Sequence, residues 1–365
     1  MAPNPPTHRY TVRSQVAATG LTCPPPVAEH IARLAGPYLS VEPGPGPAGS
    51  WQAVAGVEPP PGAVPEEVAA LGEVAVRYAV DHAHRTLYHR TPHGEDWTTQ
   101  SLLRATRAIH RSAASRQGML FLHAGLVELE GLGIALVGGS RAGKTTLVMA
   151  SVLHGGATMV CNDDVSLSAE PDGGRVLGVG WPRSVSVRLD TLDLLFGRGK
   201  AQGVLSRLTH PANRTLGSLR ASGVEEHGTA LIYPWEYAAL LDTPVGRSAR
   251  VDAIVHLGLA DSPSDTGVAD VPPAARADLL ERHVLDLPNK HLNIFGHAPR
   301  QGAPARTREA LTALPTFTFR YAFADAPREV ARLAAHLRGR VPAPARPAQD
   351  RLTAPAAPAG RGERR

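Results

Sequence analysis

Residues 138–145, Gly138-Gly139-Ser140-Arg141-Ala142-Gly143-Lys144-Thr145 (GGSRAGKT), satisfy the Walker A pattern GxxxxGK[ST] at every constrained position. The flanks are what such a loop requires. On the amino-terminal side, Ile134 to Val137 (IALV) reads as a buried strand by length and branching. Leu122 to Glu130 (LHAGLVELE) alternates apolar and polar residues, as the other arm of a hairpin turned at Gly131-Leu132-Gly133. On the other side the spacing predicts a helix from about Lys144 to His154, closed by Gly155-Gly156. A strand from Ala157 to Cys161 follows and ends in Asn162-Asp163-Asp164. Strand, glycine loop, helix and strand in this order predict an α/β fold.

The chemistry of the loop follows from its composition. Glycines let successive backbone N–H groups converge on phosphate oxygens, and the helix start adds its partial positive charge. Lys144 then reaches the terminal phosphates and the Thr145 hydroxyl is a ligand for Mg2+, so Gly138, Gly139, Ser140, Arg141, Ala142, Gly143, Lys144, Thr145 and Thr146 form the expected nucleotide-binding set. The chain has 38 Lys and Arg, of which only Lys144, Lys200 and Lys290 are lysines. A sequence that uses arginine almost everywhere places lysine where a compact ammonium fits and a planar guanidinium would not.

Transfer of a phosphoryl group to a hydroxyl needs a carboxylate near the γ-phosphate, to orient the acceptor and take its proton, and a further ligand on Mg2+. Asp163 and Asp164 end the strand that follows the loop-bearing helix. Right-handed strand-helix-strand geometry makes that strand parallel to Ile134–Val137 in the same sheet and brings both carboxylates to the edge where the loop sits. Two adjacent acids allow divided roles, one as base and one as metal ligand.

The block from His123 to Thr146 (HAGLVELEGLGIALVGGSRAGKTT), with Cys161 to Leu167 (CNDDVSL), resembles the catalytic domain of the HPr kinase/phosphorylase family, whose phosphate-loop subclass includes phosphoenolpyruvate carboxykinase. The likeness extends over roughly residues 120–197 and more weakly over 251–259 and 316–337. It implies a P-loop kinase domain of HPr-kinase type, a central sheet with a hairpin leading into the Walker A strand, preceded by a small α+β module. It further implies that Lys144 and Thr145 bind ATP and Mg2+, that Asp163 is the base acting on a serine hydroxyl of a protein substrate, and that Asp164 is an alternative base or metal ligand. The family's acidic pair aligns on either Asn162-Asp163 or Asp163-Asp164, so that division stays open. His123 opens the matched block and is a candidate to position base or acceptor. Hexamers occur in the resembled family, which makes a homo-oligomer an expectation here. One departure stands out. Bifunctional members carry a Glu-x-Arg-Gly-x-Gly-like segment shortly before Leu-Phe-Gly, whereas Leu195-Phe196-Gly197 is here preceded by Trp181 to Arg188 (WPRSVSVR), without glutamate. The chain is closer to divergent kinase-like members found with peptide-modifying pathways, and Arg183 and Arg188 become candidates to contact phosphate or an acidic acceptor.

Outside this block the chain is less regular. Its 365 residues include 36 Gly and 33 Pro, which imply long loops or tails. The expected organisation is an amino-terminal α+β module over 1–118 that recognises the acceptor, the P-loop domain over 119–340, and a disordered Pro/Ala/Arg tail over 341–365. In the module, expected elements are strands near Tyr10–Val16 and Trp51–Val54, a helix at Val27–Leu34, a hairpin turned at Asp81–Arg85, and a helix over Asp96–Ser115 capped by Thr98 or Thr99. Further on, strands are expected at 184–189, 229–233, 251–259 and 316–323, and Asp325 caps a helix from about Pro327 to Leu337. His82, His84, His89 and His93 crowd together, with His82 and His84 on one strand face, but lack the Cys pair or HExxH pattern of a zinc site.

The net charge is +5, and most of it lies after residue 339, so nucleic acid is not expected as the main partner. Two cysteines, no apolar leader and no long apolar run point to a reducing cytoplasm and away from a membrane. The expected function is an ATP-dependent kinase transferring the γ-phosphoryl group to a Ser/Thr hydroxyl of a peptide or small protein. A small-molecule hydroxyl kinase would use the same site with a closed pocket, and a nucleotide-binding switch would bind without transfer.

Overall fold

A computed structural model describes residues 6–68, 75–90, 94–170, 174–213, 228–286, 289, 294–295 and 303–342. The fold is α/β with mixed sheets. Its central sheet has six strands in the order Thr158–Cys161, Ala124–Leu129, Leu132–Val137, Ala253–Leu259, Thr316–Tyr321, Gly267–Asp270. Every residue of Leu132–Val137 is buried, as its unbroken apolar run predicts. It pairs parallel with Ala253–Leu259 on one side and antiparallel with Ala124–Leu129 on the other. Thr158–Cys161 pairs antiparallel with Ala124–Leu129. It therefore runs parallel to the loop-bearing strand with the hairpin arm between them, so both strands end at the same edge.

The hairpin turn is tighter than the sequence reading. Glu130 and Gly131 both have positive φ, 52° and 81°, the pattern of a two-residue primed turn, so Leu132 and Gly133 belong to the strand. Gly133 is required there, since a Cβ would lie 1.6 Å from the Arg250 carbonyl oxygen. The helix Lys144–Gly155 then crosses the sheet and ends at Gly156 in the left-handed conformation. It packs against the carboxy-terminal helix Ala326–Arg338, whose Val330, Leu333 and Leu337 are buried at helical spacing. Asp325 stands at that helix's N-cap position, with no side-chain cap hydrogen bond.

Residues 8–89 build a seven-stranded sheet in the order Ser40–Pro43, His8–Arg13, Ala18–Cys23, Gln52–Val54, Thr86–His89, Val76–Asp81, Val64–Val68. The helices Pro25–Ala35 and Gly94–Arg116 pack together, and their apolar faces join one buried cluster that continues to the central sheet. The long helix begins at Gly94 with Glu95 and Asp96 in its first turn, where acidic side chains suit the helix dipole. Thr98 and Thr99 thus lie inside it and cap nothing. His82 and His84 occupy the turn between two strands and share no strand face. The expected strand at 251–259 is two, Ser248–Val251 and Ala253–Leu259, divided at Asp252. That residue's carboxylate and backbone N–H meet the backbone of Gly133 at 2.8 and 2.7 Å. The tail from 343 and His93 lie outside the described residues, as does most of 289–299. Among the described residues no helix is long and apolar enough to cross a membrane.

Candidate active site

The loop sits between a buried strand and a helix start, and its backbone carries the strain expected of a phosphate cradle. Arg141 and Gly143 both adopt positive φ, 64° and 84°. At Gly143 a Cβ would approach the Tyr321 hydroxyl to 2.1 Å; that hydroxyl donates to the Gly143 carbonyl at 2.7 Å and braces the loop from the neighbouring strand end. Gly139, Ser140 and Arg141 are exposed, while Lys144 is 8% exposed. Thr146 lies deeper: its hydroxyl shares a hydrogen bond of 3.0 Å with the Thr191 hydroxyl in the core, so it does not face the loop's concavity.

Lys144, His123 and Asp163 converge. The Lys144 ammonium lies 3.1 Å from His123 Nε2 and 3.7 Å from Asp163 Oδ1, and His123 Nδ1 lies 3.3 Å from the same oxygen. An ammonium only donates, so Nε2 accepts and the ring proton sits on Nδ1, pointing at the carboxylate. His123 is held by its backbone N–H, which donates to the His283 carbonyl at 2.8 Å. Burial lowers the pKa of Lys144, and Asp163 opposes that shift. His256, opposite Val137 in the middle of the adjacent parallel strand, is pushed down to about 4 by burial and then by His283 and Arg282.

Arg183 joins the two aspartates. Its Nη2 is 3.2 Å from Asp163 Oδ2, and its Nη1 donates to Asp164 Oδ2. Burial disfavours the charge on Asp164, but Arg111, Arg183 and Arg107 override it and hold the carboxyl well below the usual range. Arg188, the other arginine of the segment, pairs with Asp190 at 2.9 Å and does not reach the aspartates. A cleft lies beside the cluster, lined by Tyr38, Trp181, Arg183, Ser184, Asp163 and Asp164 among others.

The residue that meets Thr145 is Asn162, missed by the sequence reading. Its amide Nδ2 donates to Thr145 Oγ1 at 3.1 Å, while its Oδ1 is buried without a hydrogen-bond partner among the described residues. An orphaned oxygen beside a hydroxyl at a helix start fits a hard cation, which prefers oxygen ligands. Asp164, expected as a metal ligand with Thr145, pairs with Arg183. Ligand atoms of His123, Asp163 and Asp164 also lie within 4.8 Å of one another. The sequence signals for Asn162 were its place at the head of Asn-Asp-Asp and the alternative alignment of the acidic pair on Asn162-Asp163.

No protein-family model and no curated protein matches the chain. Among solved structures, that of the Hpr(Ser) kinase/phosphatase from Coxiella burnetii is similar over 60% of this chain and 95% of that one, at 12% identity and a TM-score of 0.29. Such a likeness is at most a distant one of fold.

Proposed function

We propose that the chain is an ATP-dependent kinase of HPr-kinase type that transfers the γ-phosphoryl group to a Ser or Thr hydroxyl of a peptide or small protein. In this reading residues 119–340 carry the phosphate-loop chemistry and residues 1–118 present the acceptor. The observation that carries it is the 3.7 Å approach of the Lys144 ammonium to Asp163 Oδ1 at the mouth of the Walker A loop. A carboxylate so close to a phosphate-binding ammonium can meet an incoming alcohol in line with the terminal phosphate.

Lys144 and the loop N–H groups hold the phosphates, and Lys144 neutralises charge on the oxygens as the bridging P–O bond breaks. Asp163 orients the acceptor hydroxyl and takes its proton as the new O–P bond forms, leaving ADP. His123 holds the Asp163 carboxylate through Nδ1–H. Thr145 Oγ1 and Asn162 Oδ1 would hold Mg2+, which supplies Lewis-acid charge stabilisation when bound.

The test is incubation of the full chain with γ-labelled ATP, Mg2+ and serine peptides or small proteins, read by mass spectrometry for a gain of one phosphate. Asp163→Asn should abolish the product while retaining nucleotide binding. Tight ATP binding with no phosphorylated product from any acceptor would leave only a nucleotide-binding switch.

A further inference from the structure

Cations also reach the aspartate pair from a part of the chain that the loop chemistry does not use. Lys144 and His123 both meet Oδ1 of Asp163, and Arg183 spans Oδ2 of both aspartates. From the long helix Gly94–Arg116, Arg107 and Arg111 act on Asp164. They stand one helical turn apart and so share a face. Arg111 is buried with its guanidinium 4.9 Å over the Phe121 ring. Arg107 is half-buried, and its Nη1 donates at 3.3 Å to the carbonyl of Pro182, the residue before Arg183.

Lys144 and Arg183 thus meet Asp163 and Asp164 directly, and Arg107 and Arg111 act on Asp164 electrostatically. Arg107 makes no ion pair among the described residues, and burial together with Arg183, Arg104 and Arg111 pushes it down to about 9. Gathering guanidiniums away from water disfavours the fold unless an anion compensates them. The terminal phosphates are assigned to the Lys144 end; of these cations Arg183 lines the cleft with Trp181 and Ser184, and Arg107 bonds the carbonyl of Pro182, between two of those lining residues.

Resting on the kinase reading above, we propose that the peptide acceptor carries a carboxylate side chain within two residues of its hydroxyl, and that Arg107 and Arg183 bind it. A guanidinium binds a carboxylate with paired N–H donors, which fixes orientation as well as affinity. The interaction also places the hydroxyl: an acidic neighbour anchored near Arg183 holds the acceptor beside Asp163.

The experiment uses the full chain and nine-residue peptides with one central serine, flanked on each side by Asp/Glu, by Ala or by Lys. Two readouts are taken: phosphate incorporation from labelled ATP, and equilibrium binding of each set to protein loaded with AMP-PNP and Mg2+. The proposal expects at least about tenfold preference for the acidic set in both. Arg107→Gln should reduce that preference below about threefold by raising KM for the acidic peptide without raising KM for ATP, and Arg107→Lys should retain most of it. If Arg107→Gln does not fold, judged by its melting curve, the unaltered protein's preference decides alone. Equal labelling and binding of acidic and alanine sets overturns the anion site and leaves the kinase standing. Acid-selective binding without labelling overturns the kinase and leaves the anion site. Neither labelling nor selective binding overturns both.

Discussion

Asn162 Nδ2 donates to Thr145 Oγ1 across 3.1 Å, tying the end of one central strand to the first turn of the helix that follows another. The bond fixes the hydroxyl proposed to hold Mg2+, and Asn162 Oδ1, on the same amide, is buried without a hydrogen-bond partner among the described residues. Asn162→Ala removes both an orienting bond and an oxygen ligand. Metal affinity should fall by about 10- to 100-fold, as for lost supporting groups around metals generally. Manganese binding followed by electron paramagnetic resonance in the presence of AMP-PNP checks this, and an unchanged affinity would show that Asn162 is no part of the metal site.

Lys144 and Asp163 should separate binding from transfer. Lys144→Ala should weaken nucleotide binding at least about tenfold, on the order of 1.4 kcal/mol. Asp163→Asn should keep that affinity within a few-fold and lower the transfer rate by about 100- to 10,000-fold, the range for a lost general base. Fluorescent-nucleotide titration and single-turnover transfer measure the two quantities independently.

His110 is wholly buried on the long helix, with Nδ1 2.9 Å from the Ser14 hydroxyl and Nε2 without a partner among the described residues. Burial pushes its pKa down to about 4 from an ordinary 6.5. The unfolded chain therefore binds a proton between these values that the folded chain refuses, so stability rises with pH across this window. The contribution is complete above pH 6.5 and is lost as pH falls toward 4, on the order of 3 kcal/mol for this residue. Urea unfolding at pH 7.5 and pH 5 should show the loss, and His110→Gln should flatten the difference.

Gly143→Ala should cost the loop its shape. The residue has φ of 84° and a Cβ there would meet the Tyr321 hydroxyl. A left-handed conformation alone costs about 1–2 kcal/mol for an alanine, before the clash is relieved. Nucleotide affinity should fall along with the melting temperature. A Tyr321→Phe background, which removes the hydroxyl, should recover some of the packing loss but not all of it, since the Tyr321 ring carbon Cζ would still lie 2.9 Å from the Cβ, and none of the backbone part.

What the sequence made legible was local and periodic. The run GGSRAGKT, the buried strand before it and the glycines after the helix each mark their own structure, and the parallel run of Thr158–Cys161 follows from chain handedness. What escaped depends on partners far along the chain. Asp252 reads as one polar residue inside a strand pattern until Gly133, 119 residues away, is found bonded to its carboxylate. Arg107 and Arg111 sit between the apolar residues of the long helix, and nothing local ties them to Asp164. Arg183 was visible as a candidate, but its span of both carboxylates needs the strand end at Cys161 and the segment after Trp181 side by side.

The bond from the Tyr321 hydroxyl to the Gly143 carbonyl has a consequence for synthesis. Translation runs from the amino terminus, so a ribosome that has polymerised 300 residues has made the whole glycine loop and none of its brace. The nascent cradle waits for the strand Thr316–Tyr321 to emerge and insert beside Ala253–Leu259. Nucleotide capture is thereby deferred until that strand has been made, and a chain stalled before it carries the motif without the grip.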